Sequence, residues 1–386
     1  MLKLHVVIIP IFLPVILMGQ TPEKQISFAS ESKSHAYYVE QAELWWKEIE
    51  KNKTAEDSWY NYYRACRNAQ GTANWREDFV NESPFLRSGP DIVKLMGKYI
   101  PDTFTYNYVS YSQRGIDPSK GSFLLKAYQM NPDFEGINSE MVTYAVSILD
   151  NYLRKKVNNA WYLRNELSPG LLAYAYNVLM SLESSSVLLT QHDNDSYPVW
   201  MLQDVKGIRS DVMVINFDFL LLDSYREKVF NTLKIKQLDL KLTDSYEVNW
   251  KNVLRHLLTN YSNARPLYIG MTVSRDLYKD FSDKISISGL AFRFRPETGN
   301  MVELNRQLIE HSFLLDYLKV QLMPDSNQKN TDRLNLNYLR SFKIVYSSYK
   351  SNKEVINADK IRELALIIAG RSADESVINQ TNQDFK

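Results

Sequence analysis

The chain has a single cysteine, Cys66, among 386 residues. An internal disulfide is therefore excluded, and the fold must be held by burial of an apolar core, which this length permits. An excess of charge of either sign is also missing. Lys and Arg number 46 against 45 Asp and Glu, a net +1, which offers no bulk attraction to nucleic acid or to anionic lipid. Beyond the first twenty residues no apolar run reaches the ~20 residues that span a bilayer. No transmembrane segment is expected once the leader is removed. The common chemical signatures are missing too: G-x-G-x-x-G after a strand, G-x-x-x-x-G-K-[ST], G-x-S-x-G and H-E-x-x-H. No nucleotide, metal or other cofactor is therefore expected, and no catalytic residue is assigned.

What is present begins with MLKLHVVIIPIFLPVILMGQ. Lys3 precedes an apolar run over 6–18, interrupted by Pro10 and Pro14. The pattern reads as a signal peptide over 1–19, cut near Gly19-Gln20. No cysteine follows the cut, so a lipid anchor is not expected there. A secreted chain without a disulfide suits a bacterial periplasm or cell envelope. Cys66 itself sits in an apolar helical pattern and reads as a small core residue.

After a polar linker over 20–35, residues 36–185 carry helical periodicity. Tyr38, Ala42, Trp45, Trp46 and Ile49 recur on one face, a turn starts at Thr54, and AEDSWYNYYRACRNA forms a second helix. Trp59, Tyr62, Tyr63 and Cys66 occupy places where a tetratricopeptide repeat puts Trp, Leu, Gly and Tyr, and GSFLLKAYQMNPDFEG resembles its closing helix. Tyr63 in the small-residue place is a departure. The region reads as imperfect helical hairpins, stacked because one hairpin cannot bury its apolar face alone. The aromatic stripe reads as their core; alternatively Trp45, Trp46 and Trp59 line a partner-binding groove.

From residue 186 the period changes. Val187-Leu188-Leu189 and Val212-Met213-Val214-Ile215 are short continuous apolar runs, as expected of strands covered on both faces. Pro198 stands where a helix would start between them. Helices over 224–233 and 250–261, a strand over 266–272 and a strand-like run over 285–294 complete a small Rossmann-like α/β layer, 186–300. Helices return over 301–370, and 371–386 reads as a disordered tail. The expected fold class is α+β or α/β: helical hairpins, a small sheet layer and C-terminal helices.

The segments VLLTQHDNDSYPVWMLQDVKGIRSDVMVINFDFLLLDSY and RPLYIGMTV…ISISGLAFRFRP carry a resemblance. They are similar to the soluble extracytoplasmic C-terminal region of bacterial membrane proteins of unknown function, related to the protein O-mannosyltransferase, glycosyltransferase-C type superfamily. That region has an N/H-D-N-D-[ST]-[FY]-P-x-W loop, a Q-[ED]-V helix and an R-x-D-V-x-V strand, followed by an R-P-[IL]-Y-[FI]-x-x-T-V block. The resemblance covers roughly 171–349. It implies the soluble accessory part, without the multi-span domain where sugar transfer from a lipid-linked donor takes place.

The polar loop after the first strand concentrates the candidate ligand-binding residues: His192, Asp193, Asn194, Asp195, Ser196, Tyr197 and Trp200. Several readings fit them. Asp193, Asn194 and Asp195 could ligate a hard cation, though their spacing is not that of a calcium loop. The carboxylates could accept hydroxyls of a sugar stacked on Tyr197 or Trp200. Asp193 and Asp195 could act as a hydrolytic pair, for which they lie close together in sequence. Or Asp195 and Ser196 simply cap the following helix. Taken together, the sequence points to a non-enzymatic envelope protein, a docking or accessory subunit in secretion or glycan handling, with other envelope proteins as partners. The alternative is a soluble glycan-binding protein or glycan-acting enzyme that uses the Asp193/Asp195 loop.

Overall fold

The computed structural model describes residues 21–27, 32–113, 115–243, 245–296, 299–320, 324–325 and 327–386. The expected signal peptide lies outside them. The chain divides into two compact units, one reaching to residue 114 and one from Gly115 to Lys386.

In the first unit, α1 (His35–Lys51) and α2 (Glu56–Thr72) pack along each other, followed by α3 (Gly89–Tyr99) and α4 (Phe104–Ser112). Ser34 starts α1 by accepting from the Tyr37 N–H, and Ser88 and Thr103 do the same for α3 and α4, satisfying donors that a helix leaves unpaired. Trp59, Tyr62, Tyr63 and Cys66 follow the i, i+3, i+4, i+7 spacing and are all buried. Trp59 stacks on Tyr99 at 6.0 Å and meets Trp46 edge-on at 6.3 Å. Trp59, Tyr62, Tyr63 and Cys66 belong to the core. Part of the expected linker is packed as well, since Gln25 is buried and its N–H donates to Asn61 Oδ1 at 2.7 Å.

In the second unit, α5 (Gly121–Met130), α6 (Ile137–Ser147), α7 (Asn151–Leu163) and α8 (Pro169–Met180) lead into the sheet. Then come β1 (Val187–Thr190), α9 (Tyr197–Lys206), β2 (Met213–Asn216), α10 (Asp223–Leu233), α11 (Tyr246–Asn260), β3 (Leu267–Gly270), α12 (Arg275–Tyr278), β4 (Ile285–Ser288) and β5 (Ala291–Phe294). The sheet order is β2-β1-β3-β5-β4. β1 runs parallel to both β2 and β3, while β5 is antiparallel to β3 and to β4. The strand-like run over 285–294 is thus a hairpin and not one strand. Gly289 makes the reversal at φ +56°, and a Cβ there would lie 2.3 Å from Ser181 Oγ, so both conformation and space call for glycine.

β1 is buried along its whole length, as its unbroken apolar run requires. Leu188 pairs in register with Val214 and Tyr268, and these join Tyr174, Val178 and Leu179 of α8 in one core. The chain closes with α13 (Met301–Gln307), α14 (Asp316–Lys319), α15 (Gln328–Asn335), α16 (Tyr338–Ser351), α17 (Val355–Arg371) and α18 (Glu375–Asp384). Tyr338, Phe342 and Val345 of α16 and Ile361, Leu364 and Ile368 of α17 belong to the same core.

The C-terminal helices correct one expectation. Residues 371–386, expected to be a disordered tail, carry α18, capped by Asp374, and Phe385 is buried 5.2 Å from the ring of Tyr346. The polar composition misleads because one aromatic anchor holds the segment. Among the described residues no helix is long and apolar enough to cross a membrane.

Candidate functional site

In this sheet the crossover from β1 leads to β2 on one side; the chain then returns from β2 through α10 and α11 to β3 on the other side of β1, and β3 leads on, away from β1, to β4 and β5. The carboxyl ends of β1 and β3 therefore flank a point where strand order reverses, the place where open α/β sheets form a crevice. The polar loop of residues 191–196 leaves β1 at that point.

The loop is sharply divided. His192, Asp193 and Asn194 are exposed at its apex, while Gln191, Asp195 and Ser196 are buried. Asp195 Oδ2 accepts from the Gln191 N–H at 2.9 Å and from the Thr272 hydroxyl beyond β3. Gln191 makes a second tie to the same segment, accepting from the Ser274 N–H through Oε1 at 3.2 Å. Among the described residues Asp195 Oδ1 has no hydrogen-bond partner, and it is closed off from solvent. Burial of this carboxyl pushes its pKa up to about 7, against the opposing bonds from Gln191 and Thr272.

Ser196 is fully enclosed. Its hydroxyl donates to the His192 carbonyl at 2.7 Å, meets Thr190 Oγ1 at 2.8 Å and accepts from Asn216 Nδ2 at 3.0 Å. His192 adopts a left-handed backbone, φ +65°, so that its N–H and its Nδ1 both meet Asp218 Oδ2, at 2.9 and 3.0 Å. The bond to Asp218 raises the imidazole pKa above its usual value. The loop is thereby tied to the ends of both neighbouring strands, through Asn216 and Asp218 on one side and Thr272 on the other.

The two aromatic candidates point elsewhere. Trp200 is fully buried beside Tyr197 and Phe219, at 6.2 and 6.3 Å, and offers no face to a sugar ring. Tyr197 is half-buried, its hydroxyl 2.6 Å from Thr143 Oγ1 and its ring 5.6 Å from Trp161. Neither Asp195 nor Ser196 caps α9 with its side chain; the Ser196 and Tyr197 N–H groups donate to the Asp193 carbonyl instead. Trp59 of the partner-binding candidates is wholly buried and serves as a core ring. Trp45 and Trp46 are half-buried, their indole N–H groups bonded to the Glu23 carbonyl and to Glu50.

Thr272, Asn216, Asp218 and Trp250, whose ring lies 5.7 Å from His192, were not among the sequence candidates. They come from the far ends of other strands and helices, so only the strand-order rule could have pointed to them. Among the described residues no group of three or more His, Cys, Asp and Glu is arranged to hold a metal ion.

Residues 171–234 match the family described as TMEM260-associated domain 2. TMEM260 is a protein O-mannosyltransferase, so the match loosely fits the relation read from the sequence. It spans α8, β1, the polar loop, α9, β2 and α10 and contains Asn216 and Asp218 along with every sequence candidate of the loop. Neither the curated proteins nor the solved structures contain a match.

Proposed function

We propose that this chain is a non-enzymatic accessory subunit of a cell-envelope assembly that handles glycans. Its helical hairpins dock to other envelope proteins, and the sheet-centred part serves as a structural or ligand-sensing module. The observation that carries this reading is the internal bonding of the polar loop. Asp195 and Ser196 are enclosed, and their hydrogen bonds run to Gln191, Thr272, Thr190 and Asn216. A hydrolytic pair would need two carboxylates facing one bond, whereas here Asp193 is exposed and Asp195 is sealed beneath it. The matched domain's association with an O-mannosyltransferase supports a glycan context, and the apolar leader supports export.

Affinity isolation of the chain from envelope membranes after crosslinking tests this. A reproducible set of envelope partners is expected. A free monomer that turns over glycosides would overturn it.

One observation favours a second reading, direct glycan binding at the loop. Asp195 Oδ1 is a buried acceptor with no partner among the described residues, and such a group costs about 1–3 kcal/mol unless something satisfies it. A sugar hydroxyl reaching it would need the loop apex to open. Saturation-transfer NMR with methyl α-mannoside checks this, with transfer lost in Asp195→Asn as the expected outcome.

A further inference from the structure

In the first unit a shallow pocket opens to solvent among α2, α3 and the end of α4. Its inner part is narrow and accommodates a group of about the size of one water, so it suits a functional group more than a whole molecule. Arg67 and Arg87 line it, and among the described residues no acidic side chain does. Phe79 and Ile92 give it an apolar floor. The Cys66 thiol, also in the wall, is pushed up to about 11 by burial and so carries no charge at neutral pH. The lining therefore holds two positive charges and nothing of opposite sign.

Both guanidiniums use only neutral acceptors. Arg67 Nη1 donates to the Gln113 carbonyl at 3.2 Å, and Arg87 Nη1 donates to the Tyr62 hydroxyl at 2.8 Å and to the Phe85 carbonyl at 3.5 Å. The Nε–H and Nη2 donors of each remain for another partner. An indole face fixes each fork in place, Trp46 lying 3.9 Å from the Arg87 guanidinium and Trp75 lying 5.1 Å from that of Arg67. Pre-oriented guanidinium forks without a counter-charge match the planar, bidentate geometry of a carboxylate better than that of any neutral group.

We propose that this pocket binds a single carboxylate group, held between Arg67 and Arg87. The inner space admits a single oxygen atom, so the other carboxylate oxygen and the body that carries the group stay at the mouth and outside. A peptide C-terminus and a small free acid present the same chemistry. The docking reading favours the peptide, but the site itself rests on the pocket and not on that reading.

The indole ¹⁵N–¹H signals of Trp46 and Trp75 in the mature chain are built-in reporters. The probes are acetate, acetyl-Ala-Ala with a free carboxylate, and the same dipeptide as its C-terminal amide. Both indoles should shift and saturate with a free carboxylate and stay unmoved with the amide. Tighter binding of the dipeptide than of acetate assigns the source as a peptide end, and equal binding assigns a free acid. Arg67→Gln should weaken either interaction roughly tenfold or more, while Arg87 still holds Tyr62 and Phe85. Arg87→Gln should do the same wherever its thermal unfolding shows that it folds. No saturable shift with either carboxylate, equal shifts with the amide, or unchanged affinity in Arg67→Gln would each overturn the proposal. Absence of envelope partners would defeat the docking role and leave this titration standing.

Discussion

The Thr272 hydroxyl donates to Asp195 Oδ2, joining the loop after the first strand to the segment after the third. The two residues lie 77 positions apart, and the bond forms only because β1 and β3 are neighbours. It settles how a carboxyl can remain in a closed site. Oδ2 accepts two hydrogen bonds, while Oδ1 is closed off without a partner among the described residues.

That arrangement makes stability depend on pH. Asp195 is raised from 3.8 to about 7 in the folded state by burial. A group raised in this way stabilises the fold fully below its unfolded pKa and loses that contribution as pH climbs through the folded value. Between about pH 4 and 7 the wild-type chain should lose stability relative to Asp195→Asn, by an amount on the order of a few kcal/mol at most. Urea titrations of both proteins across that range provide the check. Parallel pH profiles would show that Asp195 ionises like an exposed carboxylate.

His192 is shifted upward as well, for a different reason. Its imidazole is exposed, and the hydrogen bond to Asp218 favours the charged form. NMR titration should place its pKa above the ordinary 6.5, and Asp218→Asn should bring it down toward that value. The variant also weakens the bond to the His192 N–H, so its backbone amide signal should shift at every pH.

The parts of this architecture legible in the sequence are those with a short period. The paired apolar runs of β1 and β2, Pro198 at the start of α9, and the helical spacing of Trp59, Tyr62, Tyr63 and Cys66 all depend on neighbours within a few residues. The loop was found for the same reason, since His192 to Tyr197 are contiguous. Its internal division was not legible, because Asp195 is buried by Thr272 and His192 is turned by Asp218, partners supplied by other strands. The hairpin at Gly289 was hidden by an apolar run continuous across the turn. The tail was misjudged because its mean polarity conceals Phe385.

Between α7 and α9, Arg154 and Asp204 form a largely enclosed pair, with Nε to Oδ2 at 2.9 Å and Nη2 to Oδ1 at 2.9 Å. Asn158 adds a third bond to Asp204 at 2.7 Å. Removing one partner leaves an uncompensated charge, whereas replacing both with apolar side chains does not. Asp204→Ala should therefore cost about 3 kcal/mol, and the double variant Arg154→Met, Asp204→Leu clearly less than that. Chemical denaturation of the three proteins measures both figures.

Phe385 tests the C-terminal helix directly. Its ring is buried against Tyr346, and the neighbouring Lys386 carbonyl accepts from the Tyr346 hydroxyl at 2.6 Å. Arg362 of α17 donates to the Phe385 carbonyl at 2.9 Å, so this segment is held by side chains from both α16 and α17. Phe385→Ala removes the aromatic anchor and leaves the backbone bonds possible; the expected loss is about 3 kcal/mol. Hydrogen exchange should then speed up across α18 and leave β1 unchanged. Wild-type exchange in α18 as fast as in an unfolded peptide would contradict the packing of this segment.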